Sequence, residues 1–211
     1  MTNLRKIILL GMAFILLCFL IPVLFVTRRE PRKTSSPIIT EYEKGYGDSV
    51  DINTIRLLLH ASGEIIELPL EEYLYGVVAS EMPASFEMEA LKAQAVVART
   101  FTIKSITESP KHIEEGADIC DNFACCQAWI TKSARFERWP DGNEEEYWER
   151  IVTSVRETRG KIVKFEGRIA STFYHANSGG KTEAVQYVWG SNDHPYLQAV
   201  ETSRRIRIYA V

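Results

Sequence analysis

The chain has no basic surplus, no internal repeat, no low-complexity tract and, away from its N-terminus, no long apolar run. Its 25 Lys and Arg against 28 Asp and Glu leave a formal net charge of -3, which gives no indication of a basic surface on the scale that nucleic acid binding requires. Cysteine is scarce, four in 211 residues, and three of the four lie between Glu108 and Trp148. A nucleotide-binding loop is also missing. The stretch ANSGGKT at 176–182, after a strand-like run and before the helix-capable KTEAVQYVW, imitates the context of one. The pattern G-x-x-x-x-G-K-[ST] needs a glycine where His175 stands, so that backbone amides can wrap phosphate, and no hydrophobic strand ending in Asp follows to hold magnesium. What remains for the stretch is a Gly-Gly turn or a polar ligand-binding loop, with Lys181 and Thr182 expected to open the next helix.

What is present begins with Ile7 to Val26, twenty uncharged residues, enough at about 1.5 Å per residue to cross a hydrocarbon core of about 30 Å. The reading is an uncleaved transmembrane anchor over residues 1–27: no A-x-A-like site follows Val26 for a signal peptidase, and Leu17 is too large to precede an acylated Cys18. Arg5 and Lys6 on one side against Arg28, Arg29, Arg32 and Lys33 on the other would place the C-terminal side in the cytoplasm. Residues 28–49 mix Pro, Ser, Thr and charge without apolar period and read as a tether. The folded part is expected over residues 50–211, enough chain for one core.

Within it, TIRLLLH (54–60) and EIIEL (64–68) flank Ala-Ser-Gly and predict a β-hairpin with Gly63 at positive φ. Leu70, Tyr73, Leu74, Val77 and Val78 recur at helical spacing, predicting a short helix from Glu71 to about Ser80, followed by the loop Glu81-Met82-Pro83-Ala84. Ser85 is the expected N-cap of a second helix, Phe86 to about Ile106, with Glu87 and Glu89 in its first turn. On it Ser85, Lys92 and Arg99 form one polar stripe, while Gln94 lies opposite among small apolar residues and must find partners there. Glu144 to Arg159 returns to helical period and stops at Gly160. Lys161 to Phe165 and Arg168 to Ala176 predict a second hairpin about Glu166-Gly167. Strands and helices do not alternate, so the expected fold is α+β: a single-pass N-terminal transmembrane helix followed by one mixed domain of helices and β-hairpins.

Two groups of side chains carry possible chemistry. Cys120, Cys125 and Cys126 with His112 are soft ligands that suit tetrahedral zinc. The spacing is not that of a standard finger, and a Cys120–Cys126 disulfide or buried reduced thiols are equally open. Glu81, flanked by Val77, Val78, Met82 and Phe86, has the apolar neighbours that suit a general acid, although a solvated loop glutamate is the plainer reading.

Taken together, LPLEEYLYGVVASEMPASFEMEALKAQAVVART, CDNFACCQAW and FYHANSGGKTEAVQYVWGSNDHPYLQAV closely resemble the stage II sporulation protein D (SpoIID) family of membrane-anchored lytic transglycosylases. The resemblance covers roughly Val50 to Glu201. It implies an extracytoplasmic domain on a single-pass cell-membrane anchor, against the flanking charges. It implies action on peptidoglycan glycan strands that a partner amidase has stripped of peptides, beside the other membrane proteins of forespore engulfment. Glu81 matches the glutamate of the family's E-M-P motif and is the implied catalytic acid, with no cofactor needed for the chemistry. Lys92, Gln94 and Arg99 match its K-A-Q-A and A-R-T pattern. Tyr174, His175, Ser178, Gly179 and Gly180 match its Ser-Gly-Gly block and are expected in the glycan groove, with Tyr174 or Trp189 stacking on sugar. The chain departs from the family in two places. Cys125 stands where histidine is frequent, so a zinc site on His112, Cys120 and Cys126 lacks its usual neighbour. The tail ETSRRIRIYAV replaces a longer continuation after the P-Y-L block, so the domain is expected to be truncated at its C-terminus. With truncation, a non-catalytic glycan-binding or amidase-enhancing module is the alternative to the enzyme.

Overall fold

The structure, a computed structural model, describes Met12 and residues 38–41 (backbone only), 52–140, 142–175, 177–190 and 194–201. Contacts divide the chain into Met1–Ser35, of which Met12 alone is described, and Ser36–Val211, which holds everything considered below.

The second unit is mixed α/β. Three-stranded sheet β3-β2-β4 is built from β2 (Thr54–Leu59), β3 (Glu64–Pro69) and the short β4 (Ile119–Cys120). Strands β2 and β3 pair antiparallel from Thr54 opposite Pro69 to Leu59 opposite Glu64, and Gly63 supplies the expected positive φ at the turn. β4 runs parallel to β2. A second sheet, ordered β1-β5-β6, contains β1 (Ile38–Glu41), β5 (Lys161–Phe165) and β6 (Arg168–Ile169), all antiparallel. Its hairpin turns through Glu166 and Gly167, both at positive φ, as a primed turn demands. β1 falls inside the stretch read as a tether, because its backbone pairs with β5 from Ile38 opposite Lys164 to Glu41 opposite Lys161.

Helices α1 (Leu70–Glu81), α2 (Met88–Glu108) and α4 (Glu144–Glu157) pack between and against these sheets, with the short α3 (Lys132–Phe136) and α5 (Val185–Trp189) outside. α2 is central because Ala95 and Ala98, both fully buried, let its neighbours approach closely. The core draws Ile55 and Leu57 from β2, Tyr73, Leu74, Val77 and Val78 from α1, Leu91 from α2, Ile119 from β4, Ile151 and Val155 from α4, and Ile162 from β5.

Several expectations are corrected. Among the described residues no helix is long and apolar enough to cross a membrane. The longest, α2, carries Lys92, Gln94, Arg99, Lys104 and Glu108 within its 21 residues, and those groups could not be stripped of water across a bilayer. The expected single-pass anchor and the cell-membrane location that depends on it are therefore not supported. Ile7–Val26, apart from Met12, lies outside the described residues, as do Cys18 and all of the C-terminal tail after Glu201. α2 begins at Met88 without a side-chain cap, so Ser85 does not serve as N-cap. Lys181 does not open a helix: it forms an isolated antiparallel bridge with Glu201, while the Thr182 amide donates to the Val200 carbonyl at 2.9 Å. α5 starts only at Val185.

Candidate functional site

α1 ends where Pro83 forces it to end. The residue before a proline is driven out of the helical region, and Met82 accordingly sits extended at φ -138, ψ 137. Glu81 thus becomes the last residue of a packed helix rather than a member of a free loop, half-buried and with a fixed backbone. Its Oε1 accepts the Ala128 backbone N–H at 3.0 Å and the Tyr174 hydroxyl at 3.3 Å. Among the described residues no donor reaches Oε2.

Behind Glu81 lies a buried polar chain that the sequence did not announce. The Tyr174 hydroxyl is also 3.2 Å from Oε1 of Gln127, a residue only 1% exposed. Gln127 Nε2 donates to Thr102 Oγ1 at 2.9 Å and to the Tyr73 hydroxyl at 3.3 Å. Burial first, and then the charge of Glu81, push the ionisation of Tyr174 well above the usual phenol range, and burial does the same for Tyr73. Both stay protonated donors at any physiological pH.

Glu81 opens into a groove of about 560 Å³. Gln94, Phe101 and Thr172 line it, together with Met82, Pro83, Phe86, Phe123 and Cys126, and with Phe173, Tyr174 and His175 from the irregular segment after β6, which stops at Ile169 rather than running to Ala176 as expected. Glu81 is the one carboxylate among these lining residues. Gln94 is 6% exposed, and among the described residues its Nε2 has no hydrogen-bond partner. An amide donor is thus left unmatched at the wall of a groove. Trp189 stacks on Phe173, ring centroids 4.7 Å apart, and both are more than half-open to solvent or close to it.

Of the residues expected at the site, the structure brings together Glu81, Gln94, Tyr174 and His175. Lys92 lies elsewhere, paired with Glu89 at 2.8 Å and Glu157 at 2.6 Å. Arg99 is fully buried and clamps three elements: its Nε and Nη2 grip both oxygens of Glu71 at 3.1 and 2.7 Å, and its remaining N–H groups donate to the carbonyls of Val155 and Lys161. Ser178, Gly179 and Gly180 do not line the groove. Their backbone is a tight turn in which the Gly179 and Gly180 amides donate to the Asn177 and Ser178 side chains, with both glycines at positive φ. Phe173, Thr172, Gln127 and Ala128 were not foreseen. A lone glutamine between Cys126 and the apolar Ala128-Trp129 pair was the signal available for Gln127, of the same kind that marked Gln94.

The cysteine cluster adjoins this groove through Cys126. Ligand atoms of His112, Cys120, Cys125 and Cys126 all lie within 4.8 Å of one another. His112 Nε2 stands 3.5 Å from Cys125 Sγ and 3.6 Å from Cys126 Sγ, and those two sulfurs are 3.7 Å apart. Zinc held tetrahedrally at about 2.3 Å from sulfur and 2.0–2.1 Å from nitrogen sets edges of roughly 3.5–3.8 Å, so His112, Cys125 and Cys126 stand at the spacing that ion needs, with Cys120 within 4.8 Å of them. Cys125, left outside the expected ligand set, completes it. All three are free thiols, with no disulfide between Cys120 and Cys126. Burial pushes the Cys126 thiol up to about 12 and raises that of Cys120.

A family profile described as SpoIID, Stage II sporulation protein, matches residues 60–165, a span that runs from the β2–β3 hairpin to the end of β5 and takes in Glu81, Gln94, Gln127 and the cysteine cluster. The chain belongs to the SpoIID family. Stage II sporulation protein D of Bacillus subtilis (strain 168) is 35% identical over 147 residues, covering 67% of this chain and 41% of that protein. Its namesake in Bacillus amyloliquefaciens is 31% identical over 176 residues, 82% of this chain and 50% of the relative. The amidase enhancer of B. subtilis is 36% identical over 131 residues, 62% of this chain and 15% of the relative. This SpoIID-family chain therefore spans about half, or less, of the length of the curated relatives it matches.

Proposed function

We propose that this SpoIID-family chain is a lytic transglycosylase that acts in sporulation on peptidoglycan glycan strands stripped of their peptides. The observation that carries the reading is the single carboxylate of the groove. Hydrolases of glycosides use two carboxyl groups, one to protonate the leaving oxygen and one to attack or to activate water. A lytic transglycosylase needs one. Glu81 as carboxylic acid gives its proton to the oxygen between N-acetylmuramic acid and N-acetylglucosamine as the bond from C1 to that oxygen breaks. As carboxylate it then removes the proton of the muramic C6 hydroxyl while O6 bonds to C1, which yields a 1,6-anhydro sugar and returns the acid. The hydrogen bonds from Ala128 and Tyr174 fix Oε1, leaving Oε2 to face the substrate. The unmatched Gln94 amide suits a sugar hydroxyl or acetamido carbonyl, and the Phe173–Trp189 pair beside the groove suits the apolar face of a sugar ring.

Zinc bound by His112, Cys120, Cys125 and Cys126 would supply structural cross-linking rather than a step of the reaction. The same chain segment continues into Gln127 and Ala128, which hold Tyr174 and Glu81. An amidase that strips stem peptides, working with other proteins of engulfment, is the partner this substrate requires.

The test is to incubate the chain with peptide-free glycan strands and analyse the products by mass spectrometry. Anhydro-muramic ends are expected from the wild type and are expected to fall by about 10²–10⁴-fold in Glu81→Gln, the usual contribution of a general acid. A folded wild type that yields none would refute the reading. The likeness to the amidase enhancer favours a second reading, a module that stimulates a cell-wall amidase without cleaving glycan; it predicts that Glu81→Gln stimulates the amidase as well as wild type does.

A further inference from the structure

Tyr174 offers one hydroxyl proton to two acceptors, Glu81 Oε1 at 3.3 Å and Gln127 Oε1 at 3.2 Å. In the proposed reaction Glu81 alternates between carboxylate and carboxylic acid. The carboxylate takes the Tyr174 proton readily. The carboxylic acid accepts poorly, and a part-buried hydroxyl left without an acceptor is costly. A second acceptor at the same distance removes that cost, because the phenol proton can rotate to it while the tyrosine oxygen stays in place.

Gln127 is fixed for that task. Thr102 spends its own hydroxyl proton on the Ala98 carbonyl at 2.9 Å, so toward Gln127 it can only accept. One end of the Gln127 amide must therefore be the NH₂ group, whose two protons go to Thr102 and Tyr73, and the oxygen must face Tyr174. Turning the amide over would point its oxygen at Thr102, which has no proton left to give, and so break that buried hydrogen bond. We infer that Gln127 is a positioning residue for the reaction: its buried amide oxygen holds the Tyr174 hydroxyl at Glu81 through both protonation states of the carboxyl group. The inference rests on the transglycosylase reading of Glu81.

The test is a double-mutant cycle on the full chain, with peptide-free glycan strands as substrate and anhydro ends as the signal. Gln127→Met and Tyr174→Phe are each expected to lower kcat about fivefold, the equivalent of one ordinary hydrogen bond, with KM within twofold of wild type. Because Gln127 acts through Tyr174, the double variant should be no slower than Tyr174→Phe alone. Thr102→Val, which frees the amide to turn, gives an independent variant should Gln127→Met fail to fold, and its loss should likewise vanish in the Tyr174→Phe background. Losses that multiply in the double variants, or an unchanged kcat in the Gln127 and Thr102 variants, would overturn the inference and leave the function of Glu81 standing. A folded wild type that forms no anhydro ends would remove both.

Discussion

Among the described residues, Gln94 presents a buried amide donor without a partner, and Oε2 of Glu81 is in the same condition. The two need different tests. Replacing a matched buried polar group costs stability, whereas replacing an unmatched one by an apolar isostere costs little or gains. Gln94→Met is therefore expected to leave unfolding in urea unchanged or shifted toward greater stability by up to about 1 kcal/mol. The same variant should raise KM for glycan at least fivefold, since a sugar group then loses its donor. A stability loss above about 1 kcal/mol would mean that the amide is already satisfied in the free protein. Cys126 permits a pH prediction. Its folded pKa, about 12, lies above the ordinary thiol value of 9.0. A raised folded value contributes stability that is fully present below the unfolded pKa and is lost as pH rises toward the folded one. The metal-free protein should therefore lose stability between pH 9 and pH 12, and in Cys126→Ala that part of the loss should disappear from thermal melts taken across the range.

At the scale of elements, two features decide how the helices meet. Gly76 lies on the face of α1 pressed against Trp129; a Cβ there would overlap the indole and stand 2.6 Å from the Ile130 carbonyl oxygen. Alanine is the better helix former by about 1 kcal/mol, yet Gly76→Ala should destabilise by about 1–3 kcal/mol in denaturant melts because overpacking wins. The second feature is the Arg99 clamp, which joins α1, α4 and β5 around α2. Removing Glu71 leaves a fully buried guanidinium without its carboxylate, and Glu71→Ala is expected to cost about 3–5 kcal/mol. Because the clamp stands apart from the groove, the KM of the folded fraction should not change. The first hairpin, the turn of the second and all three long helices were legible in the sequence, since periods of 2 and 3.6 residues report which face is buried, but the second hairpin's outer strand is only Arg168–Ile169 and not the expected run to Ala176. The reach of Arg99 was not: helical spacing places it on a stripe with Lys92, but only the arrival of β5 and α4 over that stripe buries one residue and leaves the other paired at the surface.

For the whole molecule, the cysteine cluster and the groove are coupled by chain connectivity. Cys125 and Cys126 run directly into Gln127 and Ala128, which contact Tyr174 and Glu81. A chelator that removes bound zinc is expected to lower the melting temperature by roughly 5 °C or more and to lower kcat in parallel. Metal analysis of the untreated protein should give one zinc per chain. Activity that survives complete removal of the metal, with the melting temperature unchanged, would show that the cluster holds no structural ion.

The sequence by itself determined the local elements, the three blocks that mark the SpoIID family, and Glu81 as the carboxylate to watch. These follow from neighbours along the chain: periodicity, turn residues and motif order. Only the tertiary structure decided which of the marked residues meet. It set Gln94, Tyr174 and His175 around Glu81, drew Arg99 and Lys92 into ion pairs away from the groove, and added Cys125 to the other soft ligands. It also supplied Gln127, whose partners Thr102 and Tyr174 lie 25 and 47 residues away. Contacts of that range depend on how the helices and strands pack, and no spacing within a single element encodes them.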